Sequence, residues 1–494
     1  MLDLSLKTTK YKLPSIPFFD KINSFINSKW FVFFIAVFTL LNNVFGFDLF
    51  YFTTIAVIAV YVSIFGKDYL SYIPMMVFCY IALSVQNNPS KNPQSVLLPQ
   101  NNGNLIYILA GALVFALLIR LLSDSSVGLK KAFKTKKTLT LGMVLLGITY
   151  LISGIGSINY SDFALKNVLF SLIQFLAMFV PYYLLCFAVK WDEIGLDYFA
   201  FVGVAFGLVV GLEIINVYAV NNVITDSTPN RFLIYTGWGV NNNMGAMLVM
   251  AIPFCFFYIS KSKFVISNFT ILVFLSVCVL LSCSRNAILS LILIYFICSV
   301  IVIITAKPWV KSFFLISSVM LIGCVFLIEV FFIKTIHISF LNGLNSDSRF
   351  DIYVLGAEVF TNFPVFGGGF YALNNALTPE DIGWNTFFPR MWHNTLIQIL
   401  ATGGLVCFIA YLVHNIQLVV LFTKKRSFEN IIIFVSIFAL LLLSFLDCYF
   451  FQLGPILFYS SSIAYAEQKL PHRIKSFKFE KIIYSTKRNR TFSR

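Results

Sequence analysis

The chain has 494 residues, of which 59% are hydrophobic and only 12% are charged, and its formal net charge is +15. Soluble globular domains carry about 25% charged residues, so this composition excludes an ordinary soluble protein and indicates an integral membrane protein. The sequence therefore predicts an all-α fold, built as a polytopic bundle of membrane helices.

Apolar stretches recur along the whole chain, and each is long enough to cross about 30 Å of hydrocarbon as a helix. We predict 12–14 transmembrane helices, because the second stretch is poorly bounded and the last is short. The fourteen candidates lie near residues 30–46, 49–65, 69–86, 104–122, 138–157, 164–189, 198–219, 244–260, 264–282, 287–305, 312–333, 396–421, 430–449 and 453–466.

The placement of basic residues tests this topology, since short cytoplasmic loops of membrane proteins collect lysine and arginine. With the amino terminus inside, 29 of the 36 basic residues fall on the cytoplasmic side and seven fall outside. This split predicts that both termini are cytoplasmic. It also explains the net charge as an orientation signal and an affinity for anionic lipid, rather than as nucleic-acid binding.

The predicted spans divide the chain into five regions. One outer loop is far longer than most of the others, and loops of such length are uncommon unless they cover or bind something. We therefore expect this loop to carry surface helices and part of a functional site. The regions are a basic cytoplasmic segment 1–29, helices 1–11 within 30–333, the long outer loop 334–395, C-terminal helices 396–466 and a basic cytoplasmic tail 467–494.

Two arginines on the outer side stand out, because topology gives no reason for them. Arg285 lies in the tight turn "SCSRNAIL", where an arginine at the membrane edge either binds a partner or reaches towards lipid phosphates. Arg349 follows Asp347 and Ser348, which are good N-caps for an amphipathic surface helix. A guanidinium beside a helix N-terminus can bind a phosphate, and an ion pair with Asp351 or Asp347 is the alternative.

His393 opens an apolar helix in "PRMWHNTLIQILATGGL", residues 389–405. An ordinary histidine pKa of about 6.5 suits a general base that accepts a proton from a sugar hydroxyl. A histidine that merely caps the helix or lines an interface is the alternative. The glycine run "FGGGF", residues 366–370, permits a sharp turn or a close approach of the backbone to a ligand.

These motifs occur in a characteristic order. "SRNAIL", "SRFDIYVLGAEVFTNFPVFGGGF" and "HNTLIQILATGGL", together with the upstream "GWGVNNNMGAMLVMAIPF", resemble the O-antigen ligase and polymerase superfamily of bacterial polytopic glycosyltransferases. The resemblance covers roughly residues 237–421. Its ligase branch has a leucine four positions after the arginine, as in Arg285 and Leu289, and a histidine motif that residues 393–404 satisfy. Cys407 occupies the last position of that motif and departs from it.

The resemblance implies an enzyme of lipopolysaccharide biosynthesis in the bacterial inner membrane, with its active site in the periplasm. Its donor is a glycan linked to undecaprenol through pyrophosphate, and its acceptor is a sugar of the lipid A-core or of another lipid-linked glycan. Arg285 and Arg349 hold the pyrophosphate in this reading, and His393 acts on the acceptor hydroxyl. The candidates for further substrate contacts are Arg390, Arg231, Asn242, Asn394 and Trp384.

Three hypotheses follow from the sequence. The first is an O-antigen ligase, the second is an O-antigen or capsular polymerase with the same donor, and the third is a polysaccharide transporter or flippase. Transporters tend to have repeated halves and polar residues at mid-membrane, whereas Glu213 is the only clear acid inside a span here. The resemblance implies a glycosyltransferase that inverts the configuration at the anomeric carbon. The outer loops contain no D-x-D motif or carboxylate cluster, so we expect the enzyme to be metal-independent, and we expect no cofactor.

Overall fold

The computed structural model describes residues 17–66, 68–82, 137–155, 165–189, 191–225, 228–328, 349–370 and 391–468. Within these residues the chain is almost entirely helical. The strand content described is one short antiparallel ladder, in which Ile224–Thr225 pairs with Thr228–Pro229. The predicted all-α class is confirmed.

Sixteen α-helices are numbered here in chain order within the described residues. Two short 3-10 helices, Arg231–Leu233 and Tyr449–Phe451, lie in connections between them. The α-helices are α1 Pro17–Ile26, α2 Lys29–Phe45, α3 Asp48–Phe65, α4 Tyr72–Tyr80, α5 Thr140–Leu151, α6 Leu165–Ala188, α7 Trp191–Ile194, α8 Leu196–Val220, α9 Asn241–Ser260, α10 Val265–Leu281, α11 Arg285–Thr305, α12 Pro308–Ile328, α13 Arg349–Asn362, α14 Thr395–Lys424, α15 Phe428–Ser444 and α16 Leu453–Gln468.

Six of these helices contain an apolar stretch long enough to cross a bilayer, and α1 with α2 forms a seventh candidate that is bent by 66°. The polytopic membrane bundle is therefore confirmed. Four further apolar helices, α5, α10, α12 and α15, are shorter over their described apolar parts. The predicted span near 104–122 lies outside the described residues. The long spans are α3, α6, α8, α9, α11 and α14.

Helix α9 is the centre of the bundle, because nearly every residue after its first turn is buried. Small residues let its neighbour α8 come close: a Cβ added to Gly203 would lie 2.4 Å from the ring of Phe254. On another side of α9, the Ser436 hydroxyl of α15 donates to the carbonyl of Met250 at 2.8 Å. Close contacts of small residues and interhelical hydrogen bonds are the usual means of joining helices in lipid.

One end of the bundle collects residues that the charge pattern assigns to the cytoplasmic side. Lys29 forms an ion pair with Asp197, and Lys263 lies 3.7 Å from the same carboxylate. Lys261 lies 3.9 Å from Glu429. Charged residues that were predicted to lie on the same side of the membrane are therefore in contact in the structure. That this end of the bundle faces the cytoplasm stays a prediction.

Helix α14 differs from its prediction as one continuous span. Gly404 has a left-handed backbone (φ +64°, ψ −164°) and breaks the helix after nine residues. The part after the break, residues 405–424, has about the 30 Å length needed to cross a bilayer. The first part, Thr395–Gly403, is a separate half-helix, and we use that name for it below.

A break inside an apolar region leaves backbone groups without partners, and burying them unpaired is costly. Here the loop 363–370, which contains the glycine run, fills the break and supplies those partners. Its approach requires glycine, because a Cβ on Gly367 would lie 2.3 Å from the backbone of Thr402. Four backbone N–H groups donate across the joint: Gly368 to Ala401 at 2.8 Å, Gly369 to Thr402 at 2.9 Å, Leu405 to Pro364 at 2.8 Å and Val406 to Val365 at 3.2 Å.

We predict that Gly404→Ala destabilises the protein by at least about 2 kcal/mol. The new Cβ would lie 2.4 Å from the Val365 carbonyl oxygen, in a left-handed conformation that alanine disfavours. Thermal unfolding of the purified protein in detergent measures the change. Gly323→Ala is the matched control, since nothing lies within 4 Å of its added Cβ. That variant should be neutral or slightly stabilised because alanine favours a helix. Equal unfolding temperatures for both variants would contradict the prediction.

Candidate active site

The end of α15 and the residues after it form the meeting point of the sequence motifs. We call residues 443–449 the hub segment. Carbonyl groups in the last turn of a helix and just beyond it lack the usual helical donor, so other groups can bind them. Three side chains from the three motifs do so. Asn286 donates to the carbonyl of Leu443 at 2.8 Å, Asn394 to that of Phe445 at 2.7 Å and Arg349 to that of Leu446 at 3.0 Å. The carbonyl of Leu443 also accepts from the backbone N–H of Leu446 at 3.3 Å.

His393 faces a carboxylate on the hub segment. Its Nδ1 lies 3.2 Å from Oδ1 of Asp447, and the two side chains are 23% and 8% exposed. The backbone N–H of Cys448 donates to the same oxygen at 2.8 Å, so the carboxylate is held on two sides. An Nδ1 proton donated to Asp447 leaves the lone pair on Nε2, which is the tautomer of a general base.

The backbone of His393 is held in an uncommon conformation. Its φ of +50° lies in the left-handed region, which costs a non-glycine residue about 1 kcal/mol or more. The Tyr353 hydroxyl donates to its carbonyl at 3.0 Å. Asn394 then caps the half-helix, because its side-chain oxygen accepts from the N–H groups of Leu396 and Ile397. The oxygen and the nitrogen of the Asn394 side chain therefore both bind backbone groups. Its contact with substrate stays a prediction.

The helix that carries Arg349 packs directly on the half-helix. Val359 of α13 is buried with Trp392 and Ala401 in one apolar cluster. The helices approach so closely that a Cβ on Gly356 would lie 2.4 Å from the side chain of Ile397. The predicted helix is therefore present from Arg349, and it packs with the residues next to His393. The predicted caps, Asp347 and Ser348, lie outside the described residues.

Arg285 is the first residue of α11. The preceding Ser284 caps this helix, accepting from the Ala287 N–H at 3.4 Å, and Cys283 before it has a left-handed φ of +53°. Asn286, the next residue, binds the hub segment. The backbone of Arg285 thus lies one residue from a direct contact with the segment that Arg349 and His393 also contact.

Asn242 also reaches the hub segment, through its backbone. The Tyr449 hydroxyl donates to its carbonyl at 2.8 Å. Burial raises the pKa of this hydroxyl well above its ordinary value of 10, Asp447 raises it further, and Arg349 acts in the opposite direction. The phenol therefore stays protonated and keeps its donor role at neutral pH.

The remaining predicted residues are less informative. Arg231 is exposed on its 3-10 helix, with its guanidinium carbon 4.9 Å from the ring of Phe232. Arg390 and Trp384 lie outside the described residues. Glu213, the acid inside a span, is 3% exposed and accepts a hydrogen bond from the Trp238 indole at 2.7 Å. That contact ties the loop before α9 to α8.

Asp447 is a candidate site residue that sequence reasoning did not identify. It lies in "SFLDCYF", at the predicted outer end of an apolar span, and an acid in such a place is the signal that could have drawn attention to it. The described residues include no group of three or more His, Cys, Asp or Glu side chains that could hold a metal ion. The arrangement places a possible proton acceptor, His393, next to the carboxylate of Asp447, while the guanidinium of Arg349 binds the adjacent residue, Leu446.

Comparison with known proteins gives one family. Residues 270–412 match the family model described as O-Antigen ligase. The match runs from α10 into α14 and so includes Arg285, Arg349 and His393, whereas Asp447 lies beyond it. No curated protein matches the chain.

We predict a graded loss of stability for variants of Asn394. Asn394→Ser keeps a side-chain oxygen for the helix cap but removes the donor to the Phe445 carbonyl, whereas Asn394→Ala removes both. Each lost contact should cost about 1 kcal/mol. Thermal unfolding in detergent should rank the proteins as wild type, then Asn394→Ser, then Asn394→Ala. The idea fails if alanine is as stable as asparagine.

Proposed function

We propose that the protein is a membrane glycosyltransferase of the O-antigen ligase type, because residues 270–412 match the family model described as O-Antigen ligase. It transfers a glycan from undecaprenyl pyrophosphate to an acceptor sugar of the lipid A-core, at the periplasmic face of the bacterial inner membrane. The observation that carries this proposal is the contact of Arg349 and His393 with neighbouring residues of one segment, Leu446 and Asp447.

The proposed reaction is a direct displacement at the anomeric carbon. The acceptor hydroxyl oxygen forms a bond to that carbon as the bond from the carbon to the pyrophosphate oxygen breaks, which inverts the configuration. Nε2 of His393 takes the hydroxyl proton, and Asp447 stabilises the imidazolium that results. If the departing pyrophosphate takes the proton instead, His393 orients the acceptor.

The arginines serve the leaving group in this proposal. Negative charge grows on the pyrophosphate as its bond to the sugar breaks, and Arg349 and Arg285 stabilise that charge. Preorganised donors of this kind contribute about 10²-fold to 10³-fold each in other enzymes. Two guanidinium groups also supply the positive charge that a divalent cation provides in many other glycosyltransferases, so metal independence belongs to the proposal.

An O-antigen or capsular polymerase is the second candidate. Its chemistry is the same, and only the acceptor differs. Cys407, which departs from the ligase pattern, is buried in α14 one turn after Gly403, where an added Cβ would lie 2.4 Å from the Cβ of Cys407. The residue that departs from the ligase pattern therefore packs inside the helix after the break at Gly404, outside the candidate active site. This location favours keeping the ligase as the first candidate.

Fewer observations support the transport hypothesis than support either enzyme hypothesis. A transporter places polar groups along a path through the membrane, and Glu213 is the sequence feature that could serve such a path. Its burial and its bond to Trp238 support an anchoring role instead. By contrast, Arg349, His393 and Asn286, the residue after Arg285, all contact the hub segment.

Deletion of the gene separates the two enzyme candidates. For a ligase, we expect the lipopolysaccharide ladder to collapse to bare core while long chains accumulate on the lipid carrier. For a polymerase, the core should carry a single repeat unit. Gel electrophoresis of lipopolysaccharide and extraction of the lipid-linked pool measure the two outcomes. An unchanged ladder would reject both candidates.

Substitutions in the site test the residue roles in the deletion strain. Alanine in place of Arg285, Arg349 or His393 should abolish the ladder, and Asp447→Asn should slow transfer about 10²-fold or more because the imidazolium loses its counter-charge. Membrane-fraction blots check that each variant inserts. Arg426→Ala is the control, an exposed arginine beyond the other end of α14. Full activity in the Arg349 and His393 variants would show that the site is misassigned.

A further inference from the structure

Gln398 joins the two sides of the candidate active site. It lies on the half-helix and is fully buried. Its side-chain oxygen accepts a hydrogen bond from the backbone N–H of Trp392 at 2.9 Å and one from the Cys448 thiol at 3.3 Å. Trp392 immediately precedes His393, and Cys448 immediately follows Asp447. One amide oxygen therefore connects the neighbours of the two residues that form the proposed acid–base pair.

We propose that Gln398 is a positioning residue that sets the geometry of His393 against Asp447 during transfer. This inference rests on the proposed function, because it assigns a role in that reaction. Gln398 reaches the pair through its neighbours in the chain, so it orients the base rather than contacting the reacting atoms.

The local backbone explains why such a residue is needed. Trp392 precedes the half-helix. The left-handed turn at His393 lies between them, so the N–H of Trp392 takes no part in the hydrogen bonds of the helix. The cap at Asn394 serves Leu396 and Ile397, not Trp392. A buried N–H must find an acceptor, and the oxygen of Gln398 provides one.

The half-helix makes Gln398 a stiff support. The far end of the half-helix is held by the loop 363–370, whose Gly368 and Gly369 donate to the carbonyls of Ala401 and Thr402. Gln398 lies between this joint and His393, about one turn from each. Positions fixed in this way matter because misplacing a catalytic group by about 1 Å can cost about 10²-fold in rate.

Gln417 on the same helix provides a matched control. Its side-chain oxygen also accepts from a backbone N–H, that of Gly142, at 2.8 Å. It lies about five turns further along α14 and towards the opposite end of the bundle. Replacing either glutamine by methionine keeps the length of the side chain and removes a hydrogen-bond acceptor.

The test measures the initial rate at which the lipopolysaccharide ladder appears after induction in the deletion strain, divided by the amount of protein in the membrane. We expect Gln398→Met to lower this rate about 10-fold to 100-fold and Gln417→Met to change it less than about twofold. Gln398→Glu should stay within a few-fold of wild type. A buried carboxyl beside Asp447 remains protonated and keeps an oxygen acceptor at that place.

Non-additivity separates positioning from a general structural role. If Gln398 acts only through the pair, Gln398→Met should lower the rate less than about twofold further in an Asp447→Asn background. Equal rates for the two methionine variants, failure of Gln398→Glu to restore transfer, or multiplying effects in the double variant would each overturn the proposal. A wild-type protein that restores no ladder would instead reject the proposed function, and the wild-type lane alone reveals that outcome.

Discussion

The need to satisfy backbone carbonyl groups at the end of α15 organises the candidate site. The carbonyl of Leu443 is buried in a largely apolar bundle, where an unpaired carbonyl is costly, and those of Phe445 and Leu446 belong to exposed residues just beyond the helix. Each of the three accepts a hydrogen bond from a side chain of a neighbouring element. The donors are Asn286, Arg349 and Asn394, which come from parts of the chain far apart in sequence. One structural requirement thereby collects the motifs at one place and leaves Asp447 beside His393.

The same requirement explains the glycine-rich loop. A broken helix exposes carbonyl and N–H groups together, and the loop 363–370 pairs with both kinds at the break in α14. Glycine is needed there because Gly367 and Gly404 are left-handed and in backbone contact. The joint holds the half-helix against α13, so the histidine and Arg349 belong to a single packed unit. In the proposed reaction, such packing would help to align the base before transfer begins.

The histidine and aspartate gain their proposed roles from their surroundings. Asp447 is buried and lies 3.2 Å from Nδ1 of His393, and in the proposed reaction this contact leaves Nε2 to accept the proton. Gln398 accepts from the backbone N–H of Trp392 on one side of this pair and from the thiol of Cys448 on the other. The half-helix is therefore more than the start of a membrane span, because its cap, its first turn and its break all support the same imidazole.

The sequence by itself determined the membrane class and most helix positions, and it predicted a site at the arginine and histidine motifs. Apolar length and charge placement are local properties of a chain in lipid, so they can be counted from residues alone. Only the tertiary structure decided that the "FGGGF" run packs against a helix break, that Asp447 contacts His393, and that Gln398 contacts the neighbours of both residues. Most of those contacts join residues far apart in the sequence, such as His393 and Asp447. The apolar residues of α14 form the same sequence pattern whether or not the helix is broken at Gly404. A pairing between separate helix ends depends on how the bundle packs, and packing is not a property of any one segment.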